Sequence, residues 1–133
     1  PHTILEKSQT YIKAPAGGPL VQHSLLVMLD HMSQGKIKME DLVYKMCHAP
    51  AICFKMIKRG FIREGYYADL VAFNSKKPYE VTKENIYYKC GWSPFEGKKM
   101  NHEISHTFVN GNLVYNKGQF NEKKMGSLLS FNH

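Results

Sequence analysis

The sequence predicts an α/β fold in which a helical half is followed by a small β lobe. From residue 20 to residue 57 the apolar residues recur at the spacing of amphipathic helices. Beyond residue 74 they alternate with polar residues, and turn residues divide the chain into short runs. Gly60 and Gly65 interrupt the helical pattern between these halves. We therefore expect two units, residues 1–58 and residues 59–133.

Three helices are expected in the first unit, after an irregular stretch rich in Gly and Pro over residues 1–19. The predicted helices cover residues 20–33, 39–47 and 50–57. Pro50 suits the first position of the third helix, where a missing N–H costs nothing. Without a partner surface the apolar faces of these helices would be exposed and would favour self-association. The residues concerned are Leu25, Leu29, Val43 and Met46.

The β lobe is predicted from one apolar run and one hairpin. Residues 68–73 form a run typical of a buried strand. Asn110-Gly111 lies between two β-rich runs, and this dipeptide is the strongest short-range indication of a hairpin. The hairpin strands are predicted at 104–109 and 113–115, with further short strands at 80–82 and, along an edge, at 128–131. Residues 90–97 are predicted to form a loop that carries the only tryptophan.

The composition is that of a globular protein, with 43% hydrophobic and 22% charged residues among 133. That length predicts one domain or the end of a larger one. No apolar run approaches the roughly 20 residues of a membrane span, and no signal peptide is recognised. Three cysteines without a CxxC pair argue for a cytoplasmic location and against a disulfide framework. The first residue is proline rather than methionine, which predicts a processed or truncated end.

A net charge of +7 raises nucleic acid as a partner. The basic residues, however, occur as scattered lysine pairs without interleaved aromatic residues, and only two are arginines. This pattern is typical of a solvated basic surface. We therefore expect neither a nucleic-acid nor a membrane partner.

No motif in the sequence makes a complete catalytic site. His102 and His106 stand four apart but lie beside a predicted strand, and no Glu follows the first, so a helical zinc motif is not expected. Cys47, His48 and Cys53 match no zinc spacing. A phosphate-binding Gly-rich loop, a GxSxG motif and a carboxylate pair are also missing. For residues 1–19 two interpretations stay open: the mouth of a binding site and a plain surface connector.

Several segments resemble the amidohydrolase superfamily, and dihydroorotases in particular. Residues 60–71, GFIREGYYADLV, resemble its Gly-x-Ile-x-x-Gly-x-x-Ala-Asp-Leu-Val segment. Residues 48–51, His-Ala-Pro-Ala, resemble its Asn-Pro-Ala helix start, with Ala where Asn is common. Residues 93–97, Ser-Pro-Phe-Glu-Gly, followed by the hairpin, resemble the dihydroorotase tail. This loop favours dihydroorotase over hydantoinase and allantoinase, which share the ADLV region.

The resemblance implies the last helices of a metal-dependent-hydrolase TIM barrel followed by part of a β-sandwich lobe. The resemblance covers nearly the whole chain but only about the last third of such an enzyme. A TIM barrel alone needs about 250 residues, so this chain is too short to contain one. The implied reaction is reversible cyclisation of N-carbamoyl-aspartate to dihydroorotate in pyrimidine biosynthesis, with binuclear zinc. The zinc ligands of the family belong to strands outside this chain. We therefore expect the chain alone to hold no zinc and to be inactive without the missing N-terminal barrel portion.

The resemblance also implies a substrate-binding region. Pro1-His2 resembles the end of the family's Asp-His-Ala-Pro-His motif, which gives His2 the role of binding the substrate carboxylate. Residues 14–17 resemble its Ala-Pro-Phe-Gly loop, with Ala16 in place of Phe, and Ala16 and Gly17 would reach the substrate through their backbone. No catalytic or metal-binding residue is expected in this chain. The alternatives are another cyclic amidohydrolase (dihydropyrimidinase, hydantoinase or allantoinase) and a non-catalytic interaction module, and a homo-oligomer is possible in each case.

Overall fold

A computed structural model describes residues 2–123 and 126–132, in which helices are followed by an antiparallel sheet. The helices are α1 (Ile4–Lys7), α2 (Val21–Ser33), α3 (Met39–Val43) and α4 (Ala49–Cys53), with a π-helical turn (Tyr44–His48) and, later, a 3-10 turn (Lys83–Asn85). The strands are β1 (Leu70–Glu80), β2 (Lys99–Val109), β3 (Asn112–Asn116) and β4 (Gln119–Phe120), hydrogen-bonded in that order. This architecture confirms the predicted α/β fold class.

Helix α2 supplies the core that joins the helices to the sheet. Leu26 packs with Val81 and Met100, and all three side chains are buried. Asp30 Oδ1 accepts a hydrogen bond from the backbone N–H of Asn101 at 2.9 Å, which fastens the helix to β2. The expectation that Leu29 is exposed is wrong, because α2 packs against both β2 and α3 and leaves this side chain fully buried.

The other residues of the predicted exposed face differ in burial. Leu25 and Val43 are half-buried, and Met46 is exposed. The predicted apolar face is therefore covered along α2 and open near the π-helical turn.

Helices α3 and α4 form one continuous helical run rather than two separate helices. The predicted gap between residues 47 and 50 is occupied by the π-helical turn, whose last bond runs from the Ala49 N–H to the Tyr44 carbonyl. In a regular helix the ring of Pro50 would meet the carbonyl four residues earlier, and a wider turn at this point relieves the contact. The run ends at Cys53, four residues before the predicted end.

Strand β1 contradicts the prediction of a buried strand. It is an edge of the four-stranded sheet, and Leu70 and Val71 are 37% and 47% exposed. Within the described residues β1 pairs with β2 alone, and nine of its eleven residues are exposed. A separate short strand at 80–82 does not form: β1 ends at Glu80, and the buried Val81 follows it outside the strand. The edge strand expected at 128–131 is reduced to a single bridge between Met56 and Phe131.

The hairpin between β2 and β3 confirms its prediction. Asn110 and Gly111 have φ of 51° and 79°, the left-handed pair that a type I′ turn requires. Helix α1, in contrast, lies within a stretch expected to be irregular. Thr3 and Glu6 cap it reciprocally: the Thr3 N–H donates to Glu6 Oε2 at 2.7 Å, and the Glu6 N–H donates to Thr3 Oγ1 at 3.3 Å. The Thr-x-x-Glu spacing is the sequence signature of this capping box.

Candidate functional site

His2 lies two residues before α1, next to the N-cap Thr3, with its side chain about half exposed. Its backbone carbonyl accepts a hydrogen bond from Trp92 Nε1 at 2.8 Å. Its imidazole Nδ1 lies 3.6 Å from the carboxylate of Glu6. Hydrogen bonds from the backbone and side chain of Thr3 lower the pKa of Glu6, so this carboxylate is ionised near neutral pH. The imidazole is therefore open to solvent and stands beside a negative charge.

Ala16 and Gly17 form an exposed stretch after α1. Gly17 has φ of 86°, and no atom lies within 4 Å of the position that a Cβ would take, so its backbone is open to approach. Lys7 Nζ donates a hydrogen bond to the carbonyl of Pro15. Helix α1 thus links the two predicted segments, since His2 precedes its first residue and Lys7 at its end binds the loop. The substrate-binding role of these residues stays a prediction.

The described residues do not fit a metal centre. Three buried ring nitrogens have no hydrogen-bond partner, on His23, His31 and His102. They do not converge: in the described ranges no three His, Cys, Asp or Glu side chains are grouped to hold an ion. His102 instead lies with its Nε2 2.7 Å from Ser33 Oγ and its ring edge-on to Phe73.

The loop at residues 90–97 is tied into the core by a buried histidine. The side chain of His23 is fully buried, and its Nδ1 lies 3.2 Å from Ser93 Oγ. The rings of Tyr88 and Phe95 meet it edge-on, with centroids 6.0 and 5.9 Å away. Burial lowers the pKa of His23, which keeps the imidazole neutral. Residue spacing gave no indication of this pair, because its members are 70 positions apart.

We expect stability to fall as the pH drops below about 6.5, the ordinary pKa of histidine in the unfolded chain. Below that pH the unfolded chain binds a proton at His23, whereas the buried imidazole of the folded chain stays neutral. The contribution of His23 to stability is therefore complete above about pH 6.5 and is lost as the pH falls toward the lower pKa of the folded state. The slope is at most about 1.4 kcal/mol per pH unit. Urea unfolding between pH 5 and 8 measures it, and His23→Gln should flatten the profile. An equal slope in that variant would assign the effect to other groups.

An apolar cavity of about 460 Å³ lies between α2 and the sheet, apart from His2, Ala16 and Gly17. Its lining residues are Gln22, Leu25, Leu26, Val71, Tyr79, Tyr87, Ile104, Thr107, Val114, Tyr115, Phe120, Asn121 and Glu122. Burial and the neighbouring tyrosines raise the pKa of Tyr79 to about 12, so its hydroxyl stays protonated. The cavity therefore offers mainly apolar contacts.

In the described part of the chain, no helix is both long and apolar enough to cross a membrane.

Curated relatives of this chain are dihydroorotases. The enzyme of Clostridioides difficile is 36% identical over 117 residues, and that of Pyrococcus horikoshii is 32% identical over 126 residues. The alignments cover 87% and 95% of this chain but only 27% and 29% of those enzymes. The chain thus spans less than a third of the length of these relatives.

Solved structures of hydantoinases share the fold. The D-hydantoinase (dihydropyrimidinase) from Thermus sp. superposes with a TM-score of 0.83 at 21% identity, over 90% of this chain and 27% of that one. The L-hydantoinase (dihydropyrimidinase) from Arthrobacter aurescens gives 0.76 at 29% identity, over 82% and 25%. Residues 17–114, most of the sequence, match the model described as Amidohydrolase family. The chain therefore belongs to the amidohydrolase family.

Proposed function

We propose that this chain is the C-terminal part of a dihydroorotase, which reversibly cyclises N-carbamoyl-aspartate to dihydroorotate in pyrimidine biosynthesis. The observation that carries the proposal is its 36% identity to the Clostridioides difficile dihydroorotase over 87% of its length. The Ser-Pro-Phe-Glu-Gly loop at residues 93–97 supports the same choice within the family. In this proposal the remaining barrel comes from polypeptide outside this chain, and the enzyme works in the cytoplasm.

The chain's own residues would bind substrate rather than transform it. The ring N–H of His2 is exposed and would donate to a substrate carboxylate. Ala16 and Gly17 are exposed, and the open space around Gly17 would admit a ligand against the backbone. The zinc ligands would come from the missing N-terminal barrel portion, as the resemblance to the family implies. Alone, the chain would therefore be inactive.

The second candidate is a hydantoinase or dihydropyrimidinase, which the names of the structural neighbours favour.

The third candidate is a non-catalytic module for contacts between subunits or partners. The exposed edge strand β1 and the open apolar cavity favour this reading, because both present unpartnered surface. Sedimentation of the isolated chain measures any self-association through these surfaces.

Two chimeras separate these functions. In one, this chain replaces the aligned segment of the Clostridioides difficile dihydroorotase; in the other, it replaces that of the Thermus sp. D-hydantoinase. Each is assayed with carbamoyl-aspartate, dihydroorotate, hydantoin and dihydrouracil, beside the isolated chain. We expect turnover of the first two substrates by the first chimera and none by the chain alone. Activity confined to the second chimera and its substrates would contradict the proposal.

The role of His2 is tested in the first chimera. Loss of a hydrogen bond to a charged group costs about 1.5–3 kcal/mol, so His2→Ala should lower kcat/KM by about 10- to 150-fold. His31→Ala is the matched control, because His31 lies on α2 and has no predicted contact with substrate. Equal losses in both variants would remove His2 from the site.

A further inference from the structure

We propose that Trp92 is a positioning residue for the N-terminal segment that carries His2. Its indole N–H holds the His2 backbone, and the buried pair of His23 and Ser93 fixes the loop from which the indole is presented. The consequence for substrate rests on the proposed function, whereas the consequence for the order of residues 2–7 does not.

The first step is that the N-terminal segment has few other attachments. None of the residues of α1 is buried, and Leu5, Tyr11 and Ile12 are more than 80% exposed. Among the hydrogen bonds of the described residues, the bond from Trp92 Nε1 to the His2 carbonyl alone joins residues 2–13 to anything beyond Pro15. Within the described residues, that bond is therefore the main link between His2 and the rest of the fold.

The second step is that the loop is anchored to the core at Ser93 and at Gly97. Ser93 is buried, its Oγ lies 3.2 Å from His23 Nδ1, and it accepts a hydrogen bond from the Phe95 N–H. The Gly97 N–H donates to the carbonyl of Val81 at 2.8 Å, and Val81 is a fully buried member of the core. The indole is thus held by a loop that shares the rigidity of the core.

The third step connects this contact with substrate binding. If His2 binds a carboxylate that is present in both substrate and transition state, its displacement weakens both equally. Such uniform loss raises KM and leaves kcat unchanged. A typical hydrogen bond contributes about 0.5–1.5 kcal/mol, so removal of the indole donor should raise KM by about 2- to 12-fold.

The experiment compares Trp92→Phe, which keeps an aromatic ring but has no donor, with Glu96→Gln, an exposed change in the same loop. In the 133-residue chain, ¹⁵N relaxation should show residues 2–7 falling from order parameters of about 0.85 to below about 0.6 in Trp92→Phe only. Unchanged order in a folded Trp92→Phe chain would overturn the proposal.

A measurement on the unaltered chain guards against a variant that does not fold. The indole N–H of Trp92, the only tryptophan, should exchange with solvent at least tenfold more slowly than a free indole. Exchange at the free rate would equally overturn the proposal.

The kinetic arm uses the dihydroorotase chimera. Trp92→Phe should raise KM for dihydroorotate with kcat retained, and Glu96→Gln should change neither. An inactive parent chimera would refute the proposed function, while the relaxation and exchange results would still decide the positioning role. If residues 2–7 of Trp92→Phe stay ordered and its KM is unchanged, both the positioning role and its consequence for substrate binding are overturned.

Discussion

Replacement of Gly60 by alanine is expected to destabilise the fold by about 2–5 kcal/mol. Gly60 has φ of 77°, and a Cβ there would stand 2.4 Å from the Cβ of Ala51 and 2.7 Å from the carbonyl oxygen of Cys47. The left-handed conformation costs a side chain about 1–2 kcal/mol, and overpacking adds about 1–3 kcal/mol. The backbone oxygen cannot move without distorting the end of the π-helical turn.

Gly65→Ala is the matched control for this substitution. Gly65 has nearly the same φ, 76°, but no atom lies within 4 Å of its Cβ position. It should therefore lose only the conformational part, about 1–2 kcal/mol. Urea unfolding followed by the fluorescence of Trp92 measures both variants. Equal losses would show that the close approach between Gly60 and the helical run has no energetic weight.

Arg59→Met is expected to destabilise the fold by about 2–4 kcal/mol, because it removes a buried guanidinium and leaves the partly buried Asp69 carboxylate without its partner. The Arg59 guanidinium is buried, pairs with Asp69 and donates to Asn110 Oδ1 at 2.8 Å. It also donates to Ser127 Oγ at 3.2 Å and lies over the Tyr67 ring, 4.3 Å from the centroid. The expected loss is below that of a fully buried pair, since about a third of the Asp69 side chain is exposed.

Arg63 is the other arginine of the chain and provides the control. It is exposed, and its guanidinium lies 4.5 Å from the centroid of Phe61. Arg63→Met should cost about 0.5–1 kcal/mol, the value of an exposed cation–π contact. Thermal unfolding at low and high salt compares the two variants. A similar fall in Tm for both would mean that the hydrogen bonds of Arg59 do not fasten the β hairpin to the helical half.

Local features of the sequence determined helix α2, the β2–β3 hairpin and the loop at residues 90–97. The apolar period of α2 and the left-handed preference of Asn110-Gly111 act within a few residues, so they are visible without a fold. The capping box of α1 is equally local, because the Thr-x-x-Glu spacing of residues 3–6 marks it in the sequence. The substrate-binding roles of His2, Ala16 and Gly17 rest on the resemblance, since these residue types carry no distinctive spacing.

Only the tertiary structure decided which surfaces are covered and which distant residues meet. The run at residues 68–73 is apolar in any fold, but its place at the sheet edge leaves it exposed. The two helices around Pro50 merge because a π-helical turn accommodates the ring. Trp92 meets His2 across 90 positions, and Arg59 meets Ser127 across 68. Periodicity records neighbours along one element, whereas these contacts depend on how the elements pack, and packing is a property of the whole chain.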